Sequence, residues 1–335
     1  MRAVRLHGIG ELRVEEVPTP GPPPPDCVRI RVRAAGICGS DLHNFRTGRW
    51  MSRLPIIPGH ELAGEIMEVG AEVSNCRRGD LVVADSRVPC GQCRACTEGR
   101  DNVCERLGYV GEVCDGGFAD FVTLPAARVL KVPPGISPPL AALSEPLSVA
   151  LHVVRRLDPS RGRPILIAGA GPVGGFAAIV LDHLGFGPLF LLERNLARAD
   201  LVASLANARV VTAETASSAI RATSWGLRHA IEATGSPAMV SLLSSVMSGG
   251  GRLALVGIFR GECSVDLNAI VEKEIDVVGC SVFHNEQADA LQLIAPLSAK
   301  LEQVISTPLG LADVPAEYGR LLQGESPHLK SMVCP

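Results

Sequence analysis

The stretch that decides the fold, Pro164 to Gly174, reads Pro-Ile-Leu-Ile-Ala-Gly-Ala-Gly-Pro-Val-Gly. Its apolar start predicts a buried parallel strand, and the small and apolar residues from Gly175 to Leu184 predict a helix. The spacing between them is Gly-x-Gly-x-x-Gly, in which the first glycine permits a tight turn, the second admits a pyrophosphate and the third lets helix and strand pack closely. Because the helix begins at this turn, its amino end faces the anion. We therefore expect a dinucleotide at Gly169, Gly171, Pro172, Val173 and Gly174.

Glu193 occupies the position from which an acidic residue can contact the ribose of the nucleotide. It ends the apolar run Leu189–Leu192 and follows Gly174 by nineteen residues. A carboxylate there accepts hydrogen bonds from the adenosine ribose hydroxyls and repels a 2′-phosphate, which favours NAD over NADP. Arg194 and Arg198 lie close by in the sequence, and either can neutralise a 2′-phosphate, so NADP stays the alternative.

The rest of the second half alternates predicted strands and helices, as a doubly wound parallel sheet requires. Residues 227–232 and 251–257 have the pattern of strands, with a helix over 236–247 between them. Turns at the carboxyl ends of such strands line the cofactor crevice. The further cofactor candidates are Thr234, Val256, Gly257 and Ile258.

Composition and charge limit the class of protein. The chain has 335 residues, of which 47% are apolar and 20% charged, and its net charge is −3. This length suits two domains with their own cores, and the charge gives no reason to expect nucleic acid or an anionic membrane as a partner. We expect no targeting signal and no membrane-spanning segment, because no apolar run approaches the required length. An odd count of eleven cysteines in so long a chain favours metal binding in a reducing cytoplasm over disulfides.

Four of the cysteines form the most specific motif in the chain, Cys90-x2-Cys93-x2-Cys96-x7-Cys104. Thiolates at this spacing on one loop predict a closed tetrahedral zinc site with a structural role. An iron–sulfur cluster also uses four cysteines and is the rival interpretation.

The first half also carries residues for an open zinc site. Cys38 lies in Gly-Ile-Cys-Gly-Ser-Asp, His60 and Glu61 lie in Pro-Gly-His-Glu, and Glu145 begins a predicted helix that runs to about Leu157. A thiolate, an imidazole and one carboxylate leave a position for water or a substrate oxygen. Zinc held in this way lowers the pKa of an alcohol, while a nicotinamide accepts the carbinol hydrogen as hydride. At a helix start, Glu145 also suits a capping role that needs no metal.

With these motifs, the chain resembles the zinc-dependent medium-chain alcohol dehydrogenases, and among them it looks most like the polyol (sorbitol-type) dehydrogenases. The resemblance covers essentially the whole length and includes Glu145-Pro-Leu-Ser-Val-Ala-Leu-His152. It implies an α/β fold with a β-rich GroES-like catalytic domain at residues 1–147 and a Rossmann domain, a doubly wound parallel sheet, at residues 148–280. Residues 281–335 are then expected to return to the catalytic domain.

The resemblance implies roles for the metal-binding residues. Cys38 and His60 are expected to bind the catalytic zinc, with Glu61 and Glu145 as direct or water-mediated ligands. In alcohol dehydrogenases proper a cysteine occupies the place of Glu145, and the glutamate is the polyol-type feature. Asp41 is expected to orient His60, because a ligating imidazole needs a partner for its other nitrogen.

The resemblance also implies a proton path and cofactor contacts. Ser40 is expected to pass the proton of the substrate hydroxyl toward His43. Val173, Glu193 and Arg198 are expected to lie against NAD, with Arg198 on the adenosine side.

Two positions depart from the polyol dehydrogenase pattern. A tyrosine is common in that group where this chain has Asn44, and a Phe-Arg pair is common where it has Ser281-Val282-Phe283-His284. Both positions help bind substrate hydroxyls. The differences argue against sorbitol itself and make Asn44 and His284 the substrate-binding candidates, since buried polar groups are useful only if the ligand pairs with them.

The expected function is zinc- and NAD-dependent oxidation of a secondary hydroxyl on a polyol, sugar, cyclitol or aminocyclitol to a ketone. Threonine 3-dehydrogenase and simple secondary-alcohol dehydrogenase are alternatives, and an NADPH-dependent quinone reductase shares the fold without zinc. A catalytically silent nucleotide-binding protein is the alternative from a different class, but silencing is expected to remove a zinc ligand or the proton path. The family implies a cytoplasmic homodimer or homotetramer whose partner is a small polyhydroxylated alcohol.

Overall fold

The computed structural model describes residues 1–223, 225–324 and 326–335. The chain forms two compact units, one made of Met1–Glu145 with Gln287–Pro335 and the other of Pro146–Glu286. It therefore leaves the first unit after Glu145 and returns to it at Gln287, compared with expected boundaries after residues 147 and 280.

The first part of the chain is mainly β-structure. In β3, alternation places Val28, Ile30 and Val32 in the core while Arg31 and Arg33 are exposed. The strands are β1 (Arg2–Gly8), β2 (Glu11–Glu16), β3 (Cys27–Gly36), β4 (Glu61–Val69), β5 (Leu81–Ala84), β6 (Arg87–Val88), β7 (Gly108–Tyr109), β8 (Phe121–Pro125) and β9 (Val129–Lys131). The helices are α1 (Gly39–Thr47), α2 (Arg94–Thr97), α3 (Pro138–Ala142) and α4 (Ser144–Leu157).

Helix α1 has chemically defined ends. At its start, the Asp41 carboxylate accepts a hydrogen bond from Cys38 N–H at 2.8 Å, which pairs a donor that the helix itself leaves free. At its end, Gly48 adopts φ 62°, the left-handed conformation that glycine takes without strain. The hydrogen bond at the start of the helix fixes Cys38 relative to Asp41.

The second unit is built on six parallel strands in the order β12-β11-β10-β13-β14-β15. This order confirms the doubly wound Rossmann sheet predicted from the sequence. The strands are β10 (Ile165–Ala168), β11 (Leu189–Leu192), β12 (Ala208–Val210), β13 (His229–Glu232), β14 (Arg252–Leu255) and β15 (Asp276–Gly279). The helices are α5 (Pro172–His183), α6 (Leu196–Leu205), α7 (Ala213–Arg221), α8 (Pro237–Val246) and α9 (Leu267–Glu272).

The strand order reverses beside β10, where α/β sheets bind their ligands. All four residues of β10 are buried, as the apolar run predicts. Ala168 at its end pairs with Leu192 of β11 and with Glu232 of β13. The residues that follow these three strands therefore meet at one edge of the sheet.

The end of the chain returns to the first unit as α10 (Gln287–Val304), α11 (Val314–Gln323) and β16 (Met332–Val333). Helix α10 keeps a buried face to its end, where Leu297, Leu301 and Val304 are buried. Strand β16 pairs antiparallel with β3, so that Met332 lies opposite Gly36. It thereby completes the sheet β16-β3-β4-β5-β9, in which β8 also pairs with β3.

Two further features concern the cysteines and the lengths of the helices. All eleven cysteines are free thiols. Among the residues that the structure describes, no helix is long and apolar enough to cross a membrane.

Candidate metal centres and nucleotide site

Cys38, His60 and Glu61 form an open group of metal-binding side chains. Their ligand atoms all lie within 4.8 Å of one another. The pairing of β3 with β4 sets Glu61 opposite Gly36, two residues before Cys38, which explains why residues distant in the sequence meet here. Three ligands around one ion leave a fourth position for a substrate oxygen.

Asp41 lies against two members of this group. One of its carboxylate oxygens accepts the hydrogen bond from Cys38 N–H, and the other lies 3.6 Å from His60 Nδ1. Asp41 is thus on the Nδ1 side of the ring, which leaves Nε2 as the candidate metal-binding nitrogen. Because Nδ1 makes no hydrogen bond in the described part of the chain, the orienting role expected for Asp41 stays a prediction.

Lys330 is part of this site although no sequence motif points to it. Its ammonium donates to Glu61 Oε1 at 2.6 Å and to Ile37 O at 3.1 Å. Glu61 Oε2 is buried and has no hydrogen-bond partner in the described part of the chain. A Cβ at Gly36 would lie 2.1 Å from that oxygen, so glycine makes room for it. An orphaned carboxylate oxygen beside a thiol and an imidazole fits a divalent cation of the zinc type.

Glu145 lies outside this group of three. Its Oε1 accepts a hydrogen bond from Ser86 Oγ at 2.9 Å. Burial raises the pKa of Glu145 to about 7, and the neighbouring Glu61 also raises it. Whether Glu145 binds a metal directly or through water stays a prediction.

Helix α1 carries the other residues expected to act on substrate. Ser40 is partly exposed, and the buried His43 ring packs against Trp50 with ring centroids 4.4 Å apart. The Asn44 amide is held by protein groups, since its Oδ1 accepts from Trp50 N–H at 3.2 Å and its Nδ2 donates to Glu112 Oε1 at 2.9 Å. Glu112 was not found from the sequence, because no motif contains it.

The four cysteines of the Cys90–Cys104 loop form the second metal-binding group, with all four sulfurs within 4.8 Å of one another. Cys93 Sγ lies 3.5 Å from Cys96 Sγ and 3.8 Å from Cys104 Sγ. Bonds of about 2.3 Å around one tetrahedral zinc ion place sulfurs about 3.8 Å apart. The spacing therefore suits one ion and leaves no room for several irons with bridging sulfides.

Backbone groups already stabilise thiolates in this loop. Cys90 N–H donates to Cys104 Sγ at 3.2 Å, and Cys93 N–H donates to Cys90 Sγ at 3.4 Å. Hydrogen bonds from the N–H groups of Gln92 and Cys93 lower the pKa of Cys90 to about 6. Thiolate is the form of cysteine that binds metal.

In the second unit, a cavity of about 340 Å³ lies at the carboxyl ends of β10, β11 and β13. Its walls are made of the glycine-rich turn, the acidic residue after β11 and the loop after β13. Pro172 and Val173 form the first turn of α5. The lining residues are Gly169, Gly171, Leu192, Glu193, Arg194, Arg198, Ala233, Thr234, Ser236 and Met239.

Glu193 ties the glycine-rich turn to the next strand. Its Oε2 accepts from Ala170 N–H at 2.8 Å, and its Oε1 accepts from Asn195 N–H at 2.9 Å and from Arg198 at 3.0 Å. Burial favours the neutral acid, but these hydrogen bonds outweigh burial and hold the pKa of Glu193 below its ordinary value. The carboxyl group is therefore ionised at neutral pH, and Arg198 is already paired with it.

Glu232 organises the other side of the crevice and was also missed from the sequence. It is fully buried, and its carboxylate accepts hydrogen bonds from Thr234 N–H at 2.8 Å and Gly235 N–H at 3.1 Å. Val256 N–H donates to the Glu232 carbonyl oxygen, and a Cβ at Gly257 would lie 2.2 Å from Gly235 N. Val256, Gly257 and the exposed Ile258 thus lie beside the cavity rather than in its wall.

His284 belongs to the second unit, whereas Asn44 belongs to the first. His284 N–H donates to Glu286 Oε2 at 2.6 Å, and its Nε2 lies 2.9 Å from Asn285 Nδ2. His284 is therefore bound to Glu286, the last residue of the second unit.

Comparison with known proteins finds a dehydrogenase domain in each half of the chain. Residues 24–134 match the alcohol dehydrogenase GroES-like domain, and residues 172–296 match the zinc-binding dehydrogenase domain. L-threonine 3-dehydrogenase of Deinococcus radiodurans is 33% identical over 97% of this chain and 96% of its own. Sorbitol dehydrogenase of Bacillus subtilis is 31% identical over 100% of this chain and 97% of its own. The crystal structure of 2R,3R-butanediol dehydrogenase from Bacillus subtilis has a TM-score of 0.91 and 27% identity, with 100% and 99% of the chains covered.

Proposed function

Because this chain belongs to the zinc-dependent medium-chain alcohol dehydrogenase family, we propose that it oxidises a secondary hydroxyl of a polyol, sugar, cyclitol or aminocyclitol to a ketone with NAD. The family makes the chain an oxidoreductase that acts on an alcohol. The observation that carries the proposal is the open group of Cys38, His60 and Glu61, in which a buried carboxylate oxygen has no partner in the described residues.

In this proposal, Cys38 Sγ, His60 Nε2 and Glu61 Oε2 hold the catalytic zinc. A zinc ion held there would lower the pKa of the substrate hydroxyl, and a bound nicotinamide would supply the hydride acceptor. Asp41 keeps the imidazole in position, and Glu145 contacts the ion directly or through water.

The chain provides a route for the hydroxyl proton along α1. Ser40 and His43 are three residues apart on this helix, so they lie on the same face. Ser40 accepts the proton of the substrate and passes it to His43. Packing against Trp50 limits rotation of the His43 ring.

We also propose a structural zinc at the four cysteines and NAD as the cofactor. The sulfur spacing supports a single tetrahedral ion. The ionised Glu193 supports NAD, because a 2′-phosphate placed against it would be repelled. NADP stays the alternative, with Arg194 as its possible counter-charge.

Alternative substrates come from the relatives. Threonine and simple secondary alcohols need the same zinc and hydride chemistry, and the named relatives include an L-threonine 3-dehydrogenase. A catalytically silent nucleotide-binding role is disfavoured by the intact group of Cys38, His60 and Glu61. The family supports a homodimer or homotetramer, and the eleven free thiols support a reducing compartment such as the cytoplasm.

The test is NADH formation from a panel of polyols, cyclitols, amino alcohols and simple secondary alcohols, before and after removal of zinc by a chelator. We expect turnover of one substrate class, loss of turnover after chelation and recovery when zinc is restored. Turnover that survives complete removal of zinc would contradict the mechanism. If the zinc-loaded protein forms no NADH with any compound of the panel, the non-catalytic alternative is favoured.

A further inference from the structure

Glu112 is a buried carboxylate to which no motif assigns a role. It follows β7 and is only 4% exposed. Its Oε1 accepts the hydrogen bond from Asn44, and within the described chain no Lys or Arg forms an ion pair with it. Burial raises the pKa of Glu112 to about 7. Burial without a cationic partner disfavours the charged carboxylate, and a cation bound beside it would offset that cost.

Packing places Glu112 beside the metal-binding residues. Gly111 has φ 82°, and a Cβ there would lie 2.9 Å from Gly59 N. The turn that carries Glu112 therefore rests directly on the backbone that leads into His60. Glu112 therefore lies next to the segment that carries the proposed metal ligand His60.

Neighbouring groups fix the directions of Glu112 and Asn44. Ser52 donates to the Glu112 carbonyl oxygen from its N–H at 3.1 Å and from its hydroxyl at 3.2 Å. Because Trp50 N–H uses Asn44 Oδ1, Asn44 must turn its Nδ2 toward Glu112. Because Asn44 donates to Oε1, Oε2 is the oxygen of Glu112 to which a ligand can donate.

We propose that Glu112 binds a protonated amine of the substrate, so that the enzyme selects an amino alcohol over an uncharged polyol. This rests on the proposed dehydrogenase function and narrows its substrate class. An ammonium group supplies the missing cation and donates to Oε2, whereas a hydroxyl leaves the carboxylate charge unpaired. Aminocyclitols and β-hydroxy amino acids both carry an amine near a secondary hydroxyl and fit this subsite.

The probes are 3-amino-2-butanol and 2,3-butanediol. They differ at one carbon, which carries an amine in the first and a hydroxyl in the second. At neutral pH the amine is protonated. Ligand-detected NMR on the zinc-loaded protein saturated with NADH gives both dissociation constants without turnover. We expect the wild type to bind the amino alcohol at least about tenfold more tightly, and Glu112→Gln to reduce that preference by about tenfold.

Glu72→Gln, at an exposed glutamate of the same unit, is the matched control and should keep the wild-type preference. No preference in the wild type, or an equal loss of both ligands in Glu112→Gln, would overturn the proposal. Failure of the dehydrogenase function gives a different result: neither probe yields NADH from NAD, whereas a Glu112-dependent binding preference persists.

Discussion

The ion pair of Lys330 and Glu61 sets the charge of the candidate metal centre. The two side chains are 0% and 1% exposed. Removing both charges from water is costly, and their attraction offsets this cost only if the other polar atoms are also paired. Ile37 O pairs with the ammonium, whereas Glu61 Oε2 has no such partner in the described residues. The charge balance of the site therefore includes Lys330, and Oε2 is left for the proposed cation.

Lys330→Met should lower the free energy of unfolding of the zinc-free protein by about 3–5 kcal/mol, because it leaves Glu61 buried without a counter-charge. Urea unfolding measures this loss, which should shrink when zinc is bound. The control is Lys131→Met, which breaks a half-exposed pair with Asp80 and should cost less than about 1 kcal/mol. Similar losses in both variants would contradict the role of Lys330.

Glu193→Gln tests the basis of cofactor choice at one carboxylate. The amide oxygen can still accept from Ala170 N–H, so the glycine-rich turn keeps its support, but the negative charge is gone. The ratio of kcat/KM for NADP to that for NAD should rise about tenfold. Glu262→Gln, at an exposed position of the same unit, should leave the ratio unchanged. An unchanged ratio in Glu193→Gln would show that Glu193 does not select the cofactor.

At the scale of elements, the loop Cys90–Cys104 has little regular structure of its own. It contains the short helix α2 and a 3₁₀ turn, Asp101–Val103. None of its residues from Arg94 to Thr97 is buried. A segment with so little buried apolar surface needs another source of stability, and the proposed four-thiolate zinc site would supply it.

Cys93→Ser should therefore lower the melting temperature by roughly 5–10 °C in zinc-loaded protein, since one of four ligands is lost. Differential scanning calorimetry measures the change. Cys263→Ser removes an exposed thiol outside both metal groups and should leave melting unchanged. If the two variants melt alike, the four cysteines do not hold a structural ion.

Sequence reasoning succeeded where the chemistry is local in the chain. The glycine-rich turn of the Rossmann sheet lies within a few residues, so spacing alone predicts its geometry. Lys330 and Glu112 were missed because strand pairing and loop packing bring them to partners 269 and 68 residues away. Glu232 was missed for another reason: a buried acid at the end of a strand has no distinctive sequence pattern.

At the scale of the whole molecule, metal and nucleotide are assigned to different units. Both metal-binding groups lie in Met1–Glu145, whereas the described residues that line the cavity of about 340 Å³ all belong to Pro146–Glu286. Removal of zinc should abolish turnover and leave the dissociation constant of NADH within about threefold of its original value. Fluorescence titration of the chelated full-length protein measures this. Loss of NADH binding upon chelation would show that the nucleotide site depends on the metal.

The pairing of β16 with β3 also has a consequence for biosynthesis. Glu61 leaves the ribosome 269 residues before Lys330. At ~5–20 residues per second, the partner follows after roughly a quarter of a minute to a minute. The nucleotide-binding unit is continuous in the chain and is synthesised in this interval, so it can fold first. Until then, the nascent catalytic half contains Glu61 without the counter-charge of Lys330. Zinc capture at Cys38, His60 and Glu61 would therefore stabilise this half most before translation ends.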